Sequence, residues 1–442
     1  MGQATVPTSA GEGEHATGLR QAITLRRMRL FILGDVLGAG VYVLIGQVAG
    51  RVGGAVWAPF LLALCFALFT AFSYAELVTK YPLAGGAAVF AQRAFGKPLL
   101  SFLTGFAMMS GAVTAAASLA VAFAGDYLAQ FVTVPSILAA LVFMGVVALV
   151  NLRGIEESMR VNVVLTVIEV SGLALVIVLG WATVAMGGGD PARALQFRGD
   201  VSVPMAIIGG TALAFFAFQG FETSANVAEE ATDPRRTYPR ALLSALAVAG
   251  IIYLLIGLAL SMVASPDDLA SSSGPLLAVI EAAPVAFPPW LFALIALLAV
   301  SNGALLFSIA ASRLLYGMAR EGLLPSIFGR LLPGRRTPPV AIGATSLLAA
   351  VLIATGDLTT LAETTVLLLV LVYLAVNASA LALRRRPVDV PHFRAPTVMP
   401  VLGVASCLLI LTQQTAATIG RAGLLLLAGV ALYLPTRTVL RR

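Results

Sequence analysis

Long apolar runs alternate with short polar connections along almost the whole chain. They show neither the two-residue alternation of a half-buried strand nor the narrow stripe of a helix on a soluble core. Twelve runs are long enough to cross about 30 Å of hydrocarbon as helices: residues 29–50, 56–79, 98–125, 135–152, 160–187, 202–228, 240–264, 286–318, 338–355, 358–383, 397–413 and 418–436. The pattern therefore predicts an all-α integral membrane protein with 12 transmembrane helices. Two runs carry glycine and a carboxylate in their apolar interior: Gly34-Asp35-Val36-Leu37-Gly38-Ala39-Gly40-Val41 in the first and Phe215-Phe216-Ala217-Phe218-Gln219-Gly220-Phe221-Glu222 in the sixth. A lipid-facing helix gains nothing from either residue type. Backbone leaves the helical path at membrane depth only where protein encloses it or where it lines a water-filled cavity. Paired interruptions in two halves point to a solute site near the midplane.

Because the breaks fall in runs one and six, runs one to five and six to ten superpose as two halves. Five crossings per half is an odd number, so the second half is inverted relative to the first, giving a 5+5 inverted repeat. The expected organisation is a cytoplasmic N-terminal tail over 1–28, a first repeat over 29–187 and an extracellular loop over 188–201. A second repeat over 202–383, a cytoplasmic loop over 384–396, helices eleven and twelve over 397–436 and a cytoplasmic C-terminus over 437–442 complete it. With the N-terminus inside, all but Arg51, Arg193, Arg198 and Arg421 of the 28 Lys and Arg residues lie on the cytoplasmic side, as the positive-inside rule requires. A cytoplasmic membrane with both termini inside is the expected location.

Composition agrees with the bilayer as the main partner: 59% of residues are hydrophobic and 11% charged, and the mean hydropathy is +0.95. The net charge of +7 is accounted for by cytoplasmic loops beside anionic lipid, so no nucleic-acid partner is expected. Residues 1–28 are polar and hold no apolar core of a cleavable leader, so a signal peptide is not expected. Cys65 and Cys407 lie in apolar runs and His15 and His392 in polar ones, a distribution that suggests no disulfide framework, metal site or cofactor. An enzyme is not expected either, since no histidine falls within a crossing and no nucleophile cluster is evident.

Backbone geometry says what the breaks can bind. A helix beginning at Gly38-Ala39-Gly40-Val41 aims free N–H groups and its positive dipole end at the midplane, which suits a carboxylate. Segments ending near Leu37 and near Phe216 and Ala217 expose carbonyls that suit an ammonium. A zwitterionic amino acid matches both ends.

These motifs resemble those of the amino acid, polyamine and organocation transporter superfamily, in particular its bacterial amino acid permeases. Leu37-Gly38-Ala39-Gly40-Val41-Tyr42 is similar to the first-span substrate motif and residues 215–222 to the sixth-span motif. Tyr81-Pro82-Leu83-Ala84-Gly85-Gly86, Glu229-Glu230-Ala231-Thr232-Asp233-Pro234-Arg235-Arg236 and Ser312-Arg313-Leu314-Leu315-Tyr316-Gly317-Met318-Ala319-Arg320 follow in order. The resemblance implies a LeuT-type fold with discontinuous helices 1 and 6 and alternating access. By position, the amides of Ala39, Gly40 and Val41 would hold the substrate carboxylate, and carbonyls of Leu37, Phe216, Ala217 and Gln219 its amine. Phe221 would be a gate or pocket wall; Gly38, Phe218 and Gly220 complete the candidate substrate-binding set.

Carboxylates inside crossings cost about 2.5–3.5 kcal/mol each on insertion scales and mark functional positions. Asp35, Glu169 and Glu222 are the candidates for proton coupling. Some proton-coupled relatives carry a lysine where Glu169 stands. There the glutamate either takes over the protonated role or helps to bind sodium with Ser308 and Ser312, four residues apart in the eighth crossing; protons are the favoured reading. Glu76 reads as part of an inner gate or as an interfacial residue. Residues 81–97 suggest a short interfacial helix, and Met108, Met109 and Ser110 are expected to face the site. Ala39, Phe218 and Phe221 favour neutral, partly apolar amino acids. The alternatives are an amino acid or amine exchanger, a cationic amino acid or polyamine permease, and a nutrient sensor without net transport. A monomer and a homodimer both fit.

Overall fold

Within the apolar runs the backbone is helical, the arrangement that pairs each N–H and C=O inside its own segment where no water is available. The computed structural model describes residues 23–81, 86–153, 155–333, 335, 337–386, 388 and 391–440. Residues 1–22 of the expected tail and 82–85 of the loop motif lie outside the described residues. In chain order the helices are α1 (Leu25–Val36), α2 (Gly40–Val52), α3 (Trp57–Lys80), α4 (Gly86–Phe95), α5 (Pro98–Phe123), α6 (Asp126–Ala129), α7 (Ser136–Arg153) and α8 (Ile155–Ala185). They continue with α9 (Val203–Ala214), α10 (Pro234–Val263), α11 (Pro266–Ser271), α12 (Leu277–Glu281), α13 (Pro289–Arg320), α14 (Pro339–Thr355), α15 (Leu358–Leu383), α16 (Val398–Leu411) and α17 (Ala416–Leu440). Among the described residues β-structure is confined to two isolated bridges, Ile23 with Ala231 and Gly53 with Phe197.

Among the described residues eight helices are long and apolar enough to cross a membrane, or nine when α1 and α2 count as one crossing bent by 46°. The expected crossings at 202–228, 338–355 and 397–413 are occupied by shorter apolar helices, Val203–Phe218, Pro339–Thr355 and Val398–Leu411. The short helix expected within 81–97 is α4.

Burial separates inner from outer helices. The apolar window of α5 is 89% buried, whereas those of α7 and α17 are each 28% buried. The outer helices therefore turn wide apolar faces outward, as lipid contact requires. Around α5 lie α13 and α15, while α10 lies against α1 and α3, and α2 against α9. A buried amide fastens α16 to this interior: the Asn377 Oδ1 accepts from the Ser73 hydroxyl at 2.6 Å, and its Nδ2 donates to Thr70 Oγ1 at 3.0 Å and faces Cys407 Sγ at 4.0 Å. Such side-chain bonds between helices stand in for a hydrophobic driving force that apolar lipid does not supply.

Candidate functional site

The first break lies between α1 and α2. Leu37 closes α1 by donating its N–H to the Leu33 carbonyl at 2.8 Å, and α2 restarts at Gly40 with no side-chain cap from Ala39. Gly40 has to be glycine because a Cβ there would meet the Ala217 Cα at 2.9 Å. In the sixth segment α9 gives way to a 3-10 turn over Phe215–Phe218. Gln219 is extended, and Gly220 takes φ +111°. A Cβ on Gly220 would approach the Asp35 carbonyl oxygen at 2.7 Å. Each glycine thus lets one broken segment touch the other.

Tyr253 of α10 joins the two chain ends, its hydroxyl lying 2.5 Å from the Val36 carbonyl and 3.0 Å from that of Ala217. The Ala217 carbonyl expected to face a substrate amine therefore already has one partner. Tyr42 donates to the Glu169 carbonyl at 2.6 Å, and Tyr127 to the Tyr42 carbonyl at 2.8 Å.

A cavity opens where the segments meet. Gly34, Asp35, Val36, Gly38, Ala39 and Gly40 line it from the first break and Phe216, Ala217 and Gln219 from the second; Asn302, Gly303, Leu306 and Phe307 of α13 complete it. Of the expected substrate-binding set, Leu37, Val41, Phe218, Gly220 and Phe221 are not in that lining. Phe218 packs edge-on against Tyr253, with ring centroids 5.1 Å apart. Phe221 is held between Tyr74 and Tyr373 at 5.7 and 5.4 Å. These rings pack on neighbouring aromatic side chains and lie outside the cavity lining, whereas they were expected to face the substrate. Met108, Met109 and Ser110 are buried in α5 outside the same lining.

The carboxylates fall into three settings. Asp35 lines the cavity, and its Oδ2 accepts from the Thr223 hydroxyl, which also lies 2.8 Å from the Gly220 carbonyl. Glu222 is tied down: its Oε2 accepts from the Tyr373 hydroxyl at 2.7 Å and from the Gly220 amide at 2.9 Å. Glu169 is fully buried on α8; neither carboxylate oxygen makes a well-formed hydrogen bond, the side chain of Asn302 is the polar group that faces it, and Asp35 lies near enough to interact through charge. Ser308 and Ser312 do not join it. Ser308 donates to the Ala304 carbonyl at 2.7 Å, and Ser312 donates to the Ile309 carbonyl at 3.1 Å and accepts from Asn151 of α7 at 3.3 Å. Glu76 lies away from the cavity in an ion pair with Arg384 at 2.6 Å.

Asn302, Tyr253, Tyr373 and Thr223 were not singled out in the sequence. Asn302 did leave a signal, an amide near the middle of α13, between the apolar stretches 289–300 and 304–307.

Membrane-length helices packed around two broken segments that meet at one cavity define a multi-pass membrane protein. The model of the amino acid permease family matches residues 23–433, and the chain belongs to that family. It is 25% identical to the branched-chain amino acid permease of Bacillus subtilis, over 96% of this chain and 94% of that one. Identity to the methylthioribose transporter of Bacillus subtilis is 26%, over 88% and 87%. With the vacuolar cationic amino acid transporter 2 of Arabidopsis thaliana it is 30%, over 86% of this chain and 62% of that relative. The family and these relatives are transporters rather than enzymes, and an amino acid permease implies an amino acid as its small-molecule substrate.

Proposed function

We propose that this permease is a secondary active transporter that carries a neutral amino acid across the cytoplasmic membrane by alternating access, in symport with protons. In this reading it has 12 crossings and both termini in the cytoplasm. Helices α1 to α8 form the first half and α9 to α15 the second, in a LeuT-type inverted repeat whose first and sixth crossings are discontinuous. The carrying observation is the contact of the two breaks at one cavity: the uncapped start of α2 faces the same space as the 3-10 turn ending at Phe218. Free N–H groups suit the substrate carboxylate, and carbonyls at the segment ends suit its ammonium.

Coupling is assigned first to Glu169, because an unpaired carboxylate enclosed by helices is costly as an anion and is stabilised by taking a proton. Glu222, with two donors already on one oxygen, plays the positioning part for the second break. Sodium is the weaker choice because the Ser312 hydroxyl is engaged with α7. Asp35 in the lining supports a second reading, transport of a cationic amino acid.

Uptake into proteoliposomes with an inward proton gradient, sodium absent, tests the proposal. Accumulation that needs the gradient is expected. Accumulation that follows sodium instead would reject proton coupling, and arginine outcompeting every neutral amino acid would favour the second reading. Glu169→Gln is expected to lower gradient-driven accumulation at least about tenfold, and counterflow less, since it removes the titrating group while keeping the shape. Equal losses in both assays would remove Glu169 from the coupling role.

A further inference from the structure

We infer that Gln219 and Asn302 form a side-chain subsite that selects amino acids bearing a hydroxyl or carboxamide, so the preferred substrates are of the serine, threonine, asparagine and glutamine class. The inference rests on the proposal that the cavity between the breaks is the transport site. Besides Asp35, two residues with polar side chains line that cavity, Gln219 of the second break and Asn302 from the middle of α13. They are 3% and 1% exposed. Neither the Oε1 nor the Nε2 of Gln219 has a hydrogen-bond partner, and the Oδ1 of Asn302 has none. Buried polar atoms are paired in the great majority of cases, and each left unpaired costs about 1–3 kcal/mol.

The position of Gln219 explains why its amide stays free. Its backbone is extended between the 3-10 turn and Gly220, so no helical neighbour at i−4 is in place to accept from it. The two amides do not satisfy each other, since both would then have a partner. Together they offer one donor and two acceptors to whatever fills the space between them. A hydroxyl or carboxamide supplies the complement, donating to one oxygen and accepting from the Nε2. An alkyl side chain of the same size would leave all three atoms unpaired. Sites built to hydrogen-bond a substrate group discriminate strongly against the isostere that lacks it, more strongly than apolar pockets discriminate by size.

Competition in proteoliposomes with isosteric pairs reads this directly. Threonine against valine and asparagine against leucine are compared as inhibitors of counterflow by the unaltered chain. The polar member of each pair is expected to compete at least about tenfold better. Gln219→Leu and Asn302→Leu are each expected to shrink that ratio toward unity. A ratio near one or reversed in the unaltered chain overturns the inference while leaving amino acid transport intact, and needs no variant to fold. A polar preference that survives both substitutions overturns the assignment to this pair. Absence of flux with any amino acid would remove the transport reading itself, and this subsite with it.

Discussion

Gly220→Ala is expected to abolish uptake, with a loss of at least about a hundredfold, although the substitution adds one methyl group. Two independent costs meet at this residue. Its φ of +111° lies where L side chains are strained, at about 1–3 kcal/mol. The added Cβ would also come within 2.7 Å of the Asp35 carbonyl oxygen and 3.0 Å of the Asp35 Cγ. Neither neighbour is the free end of a flexible chain, so the two broken segments have to separate. That movement also disturbs the Gly220 amide, which holds Glu222, and the Gly220 carbonyl, which faces the Thr223 hydroxyl. A misplacement of about 1 Å at a positioning contact costs on the order of a hundredfold in rate. Gly96→Ala is the control: its φ is +61° and a Cβ there meets nothing within 4 Å, so only the modest left-handed penalty of about 1–2 kcal/mol applies. Uptake by the Gly96 variant should stay within about twofold of the original rate. Normal transport by the Gly220 variant would mean that contact between the breaks is not needed for function.

The breaks were legible in the sequence because glycine and carboxylates are out of place in apolar runs, and that anomaly needs no tertiary information. Membrane-length helices such as α3, α5 and α15 were legible from run length. Facing was not. In a soluble helix the polar face marks the outside, but here lipid and protein interior are both apolar, so α5 and α7 look alike in sequence and differ threefold in burial. For the same reason Phe218 and Phe221 were assigned to the cavity, although they pack on Tyr253, Tyr74 and Tyr373 behind it. Asn302 lines the cavity with Gln219, more than 80 positions away, and Tyr253 bonds the Ala217 carbonyl more than 30 positions away, so neither placement is visible in local sequence. Ser308 and Ser312 share a spacing that suggested one site, yet a serine in a helix readily bonds its own preceding carbonyls, and both do so.

Glu76→Ala is expected to produce the largest loss of stability, about 3–5 kcal/mol, the cost of leaving a buried cation without its partner. The Glu76 carboxylate receives Arg384 through both Nε at 2.9 Å and Nη2 at 2.6 Å, and the Ala395 amide at 3.0 Å. The same Nη2 donates to the Ala395 carbonyl at 2.6 Å. Only 3% of the glutamate side chain and 10% of the arginine side chain are exposed. One turn further along α3, Lys80 donates to the Leu383 and Arg386 carbonyls at 2.6 and 2.7 Å, closing the end of α15. The last turn of α3 therefore fastens α15 and the segment carrying Phe393 and Ala395, a bracing contact at the residue expected to be part of an inner gate or interfacial. At its other end α15 is held by Glu363, paired with Arg51 at 2.6 Å, but that arginine side chain is 44% exposed. Arg51→Ala is accordingly expected to cost no more than about 1 kcal/mol. Thermal unfolding in detergent separates the two: several degrees for Glu76→Ala, little for Arg51→Ala. The double variant Glu76→Ala with Arg384→Ala should be less destabilised than the two single losses added, because removing both charges leaves neither stranded. Transport should fall along with stability, since α15 also carries the Tyr373 hydroxyl that holds Glu222. A Glu76 variant that unfolds normally but no longer transports would reverse this assignment and return the residue to a gating role.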